Sequence, residues 1–321
     1  MEKIKVGFFS SISSEWFHLH KDRFEQIGDI AVAKYLIYES SGDPIDVINK
    51  IKSQFPKEKL VFILSGDKNE HIDDECIWFT NAVKPSGLAK RQTQIFVTNP
   101  AIFKFYRQIN NRVTNITPIT ERAVNIYFKG TIWPGMRTEM ANFFKDKVGC
   151  NIVANNNYWD WRFSIKKPSN EQIEQTAFES YNDMLGVKLV LCPKGNGNSS
   201  MRIIESIVCG AIPILIDDIS APFENDWSNI ALVFNSKENN CKYTGYTMWD
   251  NIWDECNKLL NDNDRMIKMQ NAGIQYFKDV VYSDYTKLGC EMYKDLGTVC
   301  YGFSGKIMEY LIKLDDTITI S

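Results

Sequence analysis

The sequence predicts an α/β protein of two domains, each a parallel sheet with crossover helices. Three observations carry this reading. Strand and helix signals alternate from the N-terminus. Periodicity lapses near residues 115–123, and a second alternating series begins beyond. Finally, 321 residues are too many for one small module at roughly 100 to 200 residues per domain. The boundary is therefore placed to give domains 1–120 and 121–321.

In the first series, Ile4 to Phe9 reads as a strand, Glu15 to Ile27 as a helix, Ala31 to Tyr38 as a strand, Asp43 to Phe55 as a helix and Leu60 to Leu64 as a strand. Residues 90–115 have no clear period beyond a strand at Thr93 to Thr98. In the second series, Ala123 to Phe128, Asn151 to Ala154, Lys188 to Cys192 and Ile212 to Ile216 read as strands. Helices are expected at Thr138 to Lys147, at Glu171 to Leu185, whose Ile173, Ala177, Phe178, Tyr181 and Leu185 share a face, and at Ser199 to Cys209, stopped by Gly210. Trp249, Ile252, Trp253, Cys256, Leu259 and Leu260 mark a further amphipathic helix, followed by one or two more over residues 264–285.

Composition bounds the function. The chain is 44% hydrophobic and 24% charged, which suits a full core rather than disorder. A net charge of -3 gives no general attraction to polyanions, so nucleic acid is not an expected partner. The longest apolar run, Ile207 to Ile216, contains Gly210 and Pro213 and falls short of the roughly 18 residues of a membrane span. The short N-terminal apolar patch reads as a buried strand, and the expected location is the cytoplasm. Eight scattered cysteines without a C-x-x-C pair signal neither a disulfide framework nor a zinc site.

The segment with most chemistry runs from Leu191 to Ile214. A buried strand ends at Pro193-Lys194-Gly195-Asn196-Gly197, which feeds a helix, and the amides of such a helix start suit a pyrophosphate. Gly195 and Gly197 would let the backbone approach it, with Ser199, Ser200 and Met201 supplying amides. Arg202 and Glu205, three residues apart, would share a face, Arg202 against phosphate and Glu205 accepting from sugar hydroxyls. The plainer alternative is a tight turn, a serine cap and an Arg202–Glu205 surface pair.

This segment resembles the C-terminal core of the exostosin family of glycosyltransferases, through Pro193, Gly195, Ser200, Arg202, Glu205, Gly210, Ile212 and Pro213. Downstream, Asp217-Asp218 and Pro222-Phe223 with nearby Trp227 fit the same pattern. Upstream, Tyr127-Phe128-Lys129-Gly130 and then Met136-Arg137 resemble the family's strand end and following arginine. The resemblance covers about residues 123–235. It implies two Rossmann-like domains facing a cleft (GT-B type), nucleotide sugar on the second and acceptor on the first, with inversion by a single displacement. Gly130, Arg137, Lys194 and the 195–205 segment would then bind the donor, expected to be a UDP-sugar, and a glycan hydroxyl would be the acceptor. Many retaining enzymes of this architecture carry E-x7-E; here Glu205 takes the second place while position 197 is glycine, which favours inversion.

Inverting transfer needs a base for the acceptor hydroxyl. The segment after the first strand carries Glu15 and His18, and the one after the third carries Asp67, with His71 close behind. Glu15 could equally be a first-turn acid, and His18 a surface residue. No metal or other cofactor is expected, because the single D-x-D, Asp262-Asn263-Asp264, follows a helix rather than a strand and reads as a cap. The alternative function is a non-catalytic nucleotide-sugar or glycan-binding protein of the same fold. A dinucleotide-dependent oxidoreductase is disfavoured, since no G-x-G-x-x-G follows the first strand.

Overall fold

The apolar runs pair into two wholly parallel sheets. A computed structural model describes residues 3–9, 22–40, 44–64, 71–80, 90–94, 101–111, 116–132, 135–155, 169–194, 200–216, 227–234, 247–282, 307 and 310–314. The first sheet contains β1 (Ile4–Phe8), β2 (Phe24–Gln26), β3 (Tyr35–Ser40), β4 (Leu60–Leu64), β5 (Ile77–Thr80) and β6 (Gln92–Gln94) in the order β2-β1-β3-β4-β5-β6. The second contains β7 (Val124–Thr131), β8 (Cys150–Asn155), β9 (Val187–Pro193), β10 (Ile212–Ile216) and β11 (Leu232–Phe234) in the order β11-β10-β9-β7-β8. Each sheet begins in the same way. The chain leaves its first strand toward one side and then jumps back across that strand to build the rest. The crossovers therefore diverge between β1 and β3 in one sheet and between β7 and β9 in the other. At such a switch point of an open parallel sheet, the strand ends leave a crevice for ligands.

The central strands are buried on both faces, as parallel sheets require, while the edge strands β2 and β8 are partly exposed. In β4 and β10 every residue is buried. Helix α1 (Ile45–Gln54) turns Ile48 and Ile51 onto one face of the first sheet, against Leu36, Leu60, Phe62 and Trp78. Its other face packs Val6, Tyr35, Ile37, Val61, Ile63 and Phe79 into a cluster that continues through α2 (Ala101–Asn111) to Tyr181, Ile203 and Ile207 of the second domain. On the second sheet, α3 (Met136–Phe144), α6 (Met248–Leu260) and α7 (Asn263–Tyr276) share a core with Ile126, Leu189, Leu191 and Ile214. The two remaining helices, α4 (Asn170–Leu185) and α5 (Arg202–Val208), flank the strand ends discussed below.

Four expectations change. Residues 24–26, expected to close a helix, instead form β2, because Phe24 is buried while Glu25 and Gln26 face solvent and the three pair in register with Ile4, Lys5 and Val6. Residues 22 and 23 form a turn before it, and residues 15–21 of that expected helix lie outside the described residues. Helix α2 arises in the stretch where no period was assigned, and its Ile102, Phe105, Tyr106 and Ile109 hold helical spacing. Helix α5 is shorter than residues 199–209. Its N-cap is Met201, whose side chain makes no capping hydrogen bond. Residues 307 and 310–314, counted with the second domain on sequence, pack on the first sheet: Tyr310 meets Phe79 edge-on at 5.4 Å, and the Leu311 carbonyl accepts from Tyr35 Oη at 3.4 Å.

The chain crosses between domains through a buried polar lock. Arg122, only 3% exposed, donates from Nε to the Thr117 carbonyl (3.0 Å), from Nη1 to that of Val187 (2.7 Å) and from Nη2 to that of Cys209 (2.9 Å). Burial pushes this guanidinium down to about 10. Gln270 donates to the Gly210 carbonyl (2.9 Å) and accepts from the Ile119 amide (3.3 Å). The lock ties the connection after α2 to the first residue of β9, the end of α5 and the middle of α7.

Candidate active site at the strand ends

Arg137 sits in the first turn of α3, directly after β7. Its Nη1 donates to the Thr131 carbonyl at 3.1 Å, at the end of β7. Its Nε and Nη2 donate to the Lys194 carbonyl at 3.0 and 2.8 Å, and Nη2 also reaches Pro193 O at 3.4 Å, at the end of β9. One guanidinium thus spans the two strands between which the crossovers diverge. Its described partners are carbonyls alone, so its charge is not neutralised by a carboxylate among the described residues. Burial first, and then the charge of nearby Arg202, push it below its ordinary value.

Arg202, at the start of α5, lies close by. Nη1 donates to Ser180 Oγ at 2.9 Å, and Nη2 to the Lys129 carbonyl at 3.0 Å near the end of β7. Nη1 also pairs with Glu205 Oε2 at 2.9 Å. Glu205 is 6% exposed, and its Oε1 accepts from Tyr181 Oη at 3.2 Å. Burial, the largest single effect, lowers the Arg202 guanidinium, but the Glu205 charge together with Tyr127, Cys192 and Tyr181 outweighs it and raises the group. Burial, then the same carboxylate, holds the Tyr181 phenol well above its usual range. The expected pairing of Arg202 with Glu205 is present, but it is a buried strut joining β7, α4 and α5 rather than a surface pair. Glu205, expected to accept from sugar hydroxyls, has both oxygens already engaged.

The lysine next to Gly130 is committed elsewhere, and of Lys194 the carbonyl is what meets Arg137. Lys129 Nζ pairs with Asp183 Oδ2 at 2.9 Å, which also accepts from Tyr127 Oη at 3.1 Å. Gly130 lies one residue before the end of β7 with little spare room, since a Cβ there would come 3.1 Å from the Phe128 ring. Ser200 and Met201 lead into α5, their carbonyls accepting from Ile203 and Glu205 amides. With only seven residues in α5, the positive charge at this site comes chiefly from Arg137 and Arg202 rather than from a helix dipole.

Gly195, Gly197 and Ser199 lie outside the described residues, as do Glu15, His18 and Asp67. His71 is described and buried. It packs on Trp78 at 5.5 Å, and its carbonyl accepts from Lys52 at the C-terminal end of α1. That helix runs opposite to the strands, so His71 lies toward the amino ends of the sheet, away from the switch point. Asp262 caps α7 by accepting from the Arg265 amide at 2.9 Å, as its place after a helix predicted.

These features define a two-domain α/β protein of the GT-B type with a cationic anchor at the second sheet's switch point. The chain belongs to the exostosin GT47 family, whose domain model matches residues 82–242, half of its length. The match begins well before the resemblance read from the motifs and reaches into the first domain. A rice protein (Oryza sativa subsp. japonica) named "Probable glucuronosyltransferase GUT1" is 26% identical over 120 residues, 36% of this chain and 27% of that one. The Physcomitrium patens "Probable glucuronosyltransferase 47 A" is 28% identical over 125 residues, 38% of this chain and 26% of that one. The chain thus matches about a quarter of the length of these relatives. A crystal structure of a glycosyltransferase from Rickettsia africae ESF-5 aligns at 12% identity and a TM-score of 0.40, over 92% of this chain and 99% of that one. No helix of the described residues is long and apolar enough to cross a membrane.

Proposed function

We propose that the chain is an inverting glycosyltransferase that moves a sugar from a UDP-sugar to a glycan hydroxyl without a metal ion. The observation that carries this reading is Arg137, a half-buried guanidinium bound to carbonyls at the ends of both β7 and β9 and set beside Arg202. Two neighbouring cations balanced by one carboxylate leave positive charge where a diphosphate would neutralise it. In the reaction, the acceptor oxygen attacks the anomeric carbon as the bond from that carbon to the diphosphate oxygen breaks. The electron pair leaves on UDP, which Arg137 and Arg202 stabilise, and a base on the first domain takes the hydroxyl proton. The Ser199 to Met201 amides are assigned to the diphosphate, as the family resemblance implies, while Glu205 acts through Arg202. Glycine at position 197, in place of the first glutamate of E-x7-E, supports inversion.

The names of the relatives make UDP-glucuronic acid the first donor to try. The test is a thermal-shift series with UDP, GDP and CDP, followed by release of UDP from UDP-sugars with and without EDTA. UDP should raise the melting temperature, Arg137→Ala should remove most of that rise, and turnover should persist in EDTA. No shift with any of the three would overturn the donor site. A shift with no release from any UDP-sugar would select a nucleotide-sugar-binding protein instead, and a requirement for manganese would overturn the metal-free reading.

A further inference from the structure

Thr131 closes β7, one residue beyond the glycine that ends the Tyr127 to Gly130 motif. It is 6% exposed, and its hydroxyl oxygen is buried with no hydrogen-bond partner among the described residues. We propose that this hydroxyl donates to an anionic oxygen of the donor's diphosphate and completes one subsite with Arg137 and Arg202. The inference rests on the transferase reading above and adds an uncharged residue to that site.

The strand places the hydroxyl. Side chains alternate along β7. Ile126 and Phe128 belong to the cluster shared with α3, whereas Tyr127 Oη and Lys129 Nζ both reach Asp183 of α4 on the opposite face. Thr131 is the next residue of that second series, one step nearer the strand's carboxyl end. Arg202 works on the same face, since its Nη1 donates to Ser180 of α4 at 2.9 Å. Both arginines grip this stretch of backbone: Arg202 Nη2 donates to the Lys129 carbonyl at 3.0 Å, and Arg137 Nη1 to the Thr131 carbonyl at 3.1 Å. The hydroxyl therefore stands on a residue that Arg137 holds directly and that Arg202 holds two positions back.

What the hydroxyl lacks is an acceptor. A threonine hydroxyl carries one proton to donate, and the carbonyls of Lys129, Thr131, Pro193 and Lys194 at these strand ends accept from the two arginines instead. Burying an unpaired hydroxyl is unfavourable. Valine has the same branched shape without that cost, so the threonine is compensated only when an acceptor arrives. The neighbours define the acceptor's chemistry. Arg137 meets no carboxylate among the described residues, and Arg202 meets Glu205 alone, which leaves net positive charge beside the hydroxyl. A phosphate oxygen supplies both the negative charge and the lone pair. A sugar hydroxyl or a base carbonyl would supply only the second.

The test is equilibrium binding of UDP by calorimetry, with inorganic pyrophosphate as a second probe that carries neither base nor sugar. Thr131→Val should bind both probes about 10- to 100-fold more weakly, the worth of a hydrogen bond to a charged group. Its melting temperature without ligand should equal or exceed that of the native protein, which a hydroxyl with a structural partner would not allow. Thr131→Ser, which keeps the hydroxyl, should bind both probes as the native protein does. Unchanged UDP affinity in Thr131→Val overturns the assignment and makes a trapped water the hydroxyl's partner. Weakened UDP binding with pyrophosphate binding unchanged also overturns it, because the hydroxyl would then meet the ribose or the base. If the native protein binds neither probe, the donor site itself is misassigned, and this inference falls with it.

Discussion

Glu205 is where local charge and function compete most directly. Its oxygens are held by Arg202 at 2.9 Å and Tyr181 at 3.2 Å, and the carboxylate is buried. Removing one partner of a buried pair leaves the other uncompensated, which costs about 3–5 kcal/mol when burial is complete. The Arg202 side chain keeps 21% of its exposure, so the cost falls at or below the bottom of that range. Glu205→Gln should therefore lower the unfolding free energy by about 2–3 kcal/mol in urea titrations without ligand, and Tyr181→Phe by about 1–2 kcal/mol. Unchanged stability with weakened UDP affinity would mean that this carboxylate meets the ligand rather than Arg202. The pair itself was legible from its i, i+3 spacing. Its burial was not, because the partners that enclose it, Lys129, Ser180 and Tyr181, come from elements 22 or more residues away.

Among the elements, two short turns set the geometry of longer ones. Gly210 ends α5 with φ of +67°, and a Cβ there would lie 2.6 Å from Ile116 Cγ2 and 2.8 Å from Arg122 Nη2. Gly210→Ala combines a left-handed backbone cost of about 1–2 kcal/mol with displacement of the Arg122 lock. A loss of about 3 kcal/mol or more is expected in urea unfolding, and a loss below 1 kcal/mol would show that the lock yields freely. The turn before β5 is the acid-sensitive one. Burial raises the Asp73 carboxyl, but the Lys52 hydrogen bond and the Cys76 and Glu75 amides outweigh it and hold the group at about 2, below its ordinary 3.8. A depressed carboxyl stabilises the fold above its unfolded value and loses that effect as pH falls through the folded one. The advantage of the native protein over Asp73→Asn, about 2 kcal/mol near neutrality, should shrink between pH 4 and 2, and a difference constant over that window would exclude the linkage. Elements with one dominant signal were legible, such as the apolar run of β4 and the glycine stop of α5. Strand β2 was not, because three residues with one buried position cannot be told from the end of a helix.

At the scale of the whole molecule, the domains are coupled by the return of the chain to where it began. Two consecutive α/β series read naturally as two consecutive domains. Contacts between residues nearly 280 positions apart leave no local period in the sequence to show otherwise. Yet Leu311 is fully buried against the first sheet, and Ile307 with it, in the cluster that holds Val6, Tyr35, Ile37 and Phe79. The same cluster runs on to Phe105, Tyr127, Tyr181 and Ile203, and Phe105 meets Tyr181 at 5.1 Å. Truncating a buried leucine to alanine removes its transfer free energy and leaves a cavity, together about 2–5 kcal/mol. If each domain had its own core, Leu311→Ala would weaken the first sheet and spare the second. A shared cluster predicts that amides of β3 to β5 and of β9 to β10 lose hydrogen-exchange protection together, in one cooperative opening. The rise in melting temperature with UDP should persist, because Arg137 and Arg202 lie at the ends of β7 and β9, outside the contacts that Leu311 makes. Selective loss of protection in the first sheet would show two independent cores, with residues 307 and 310–314 serving the first alone.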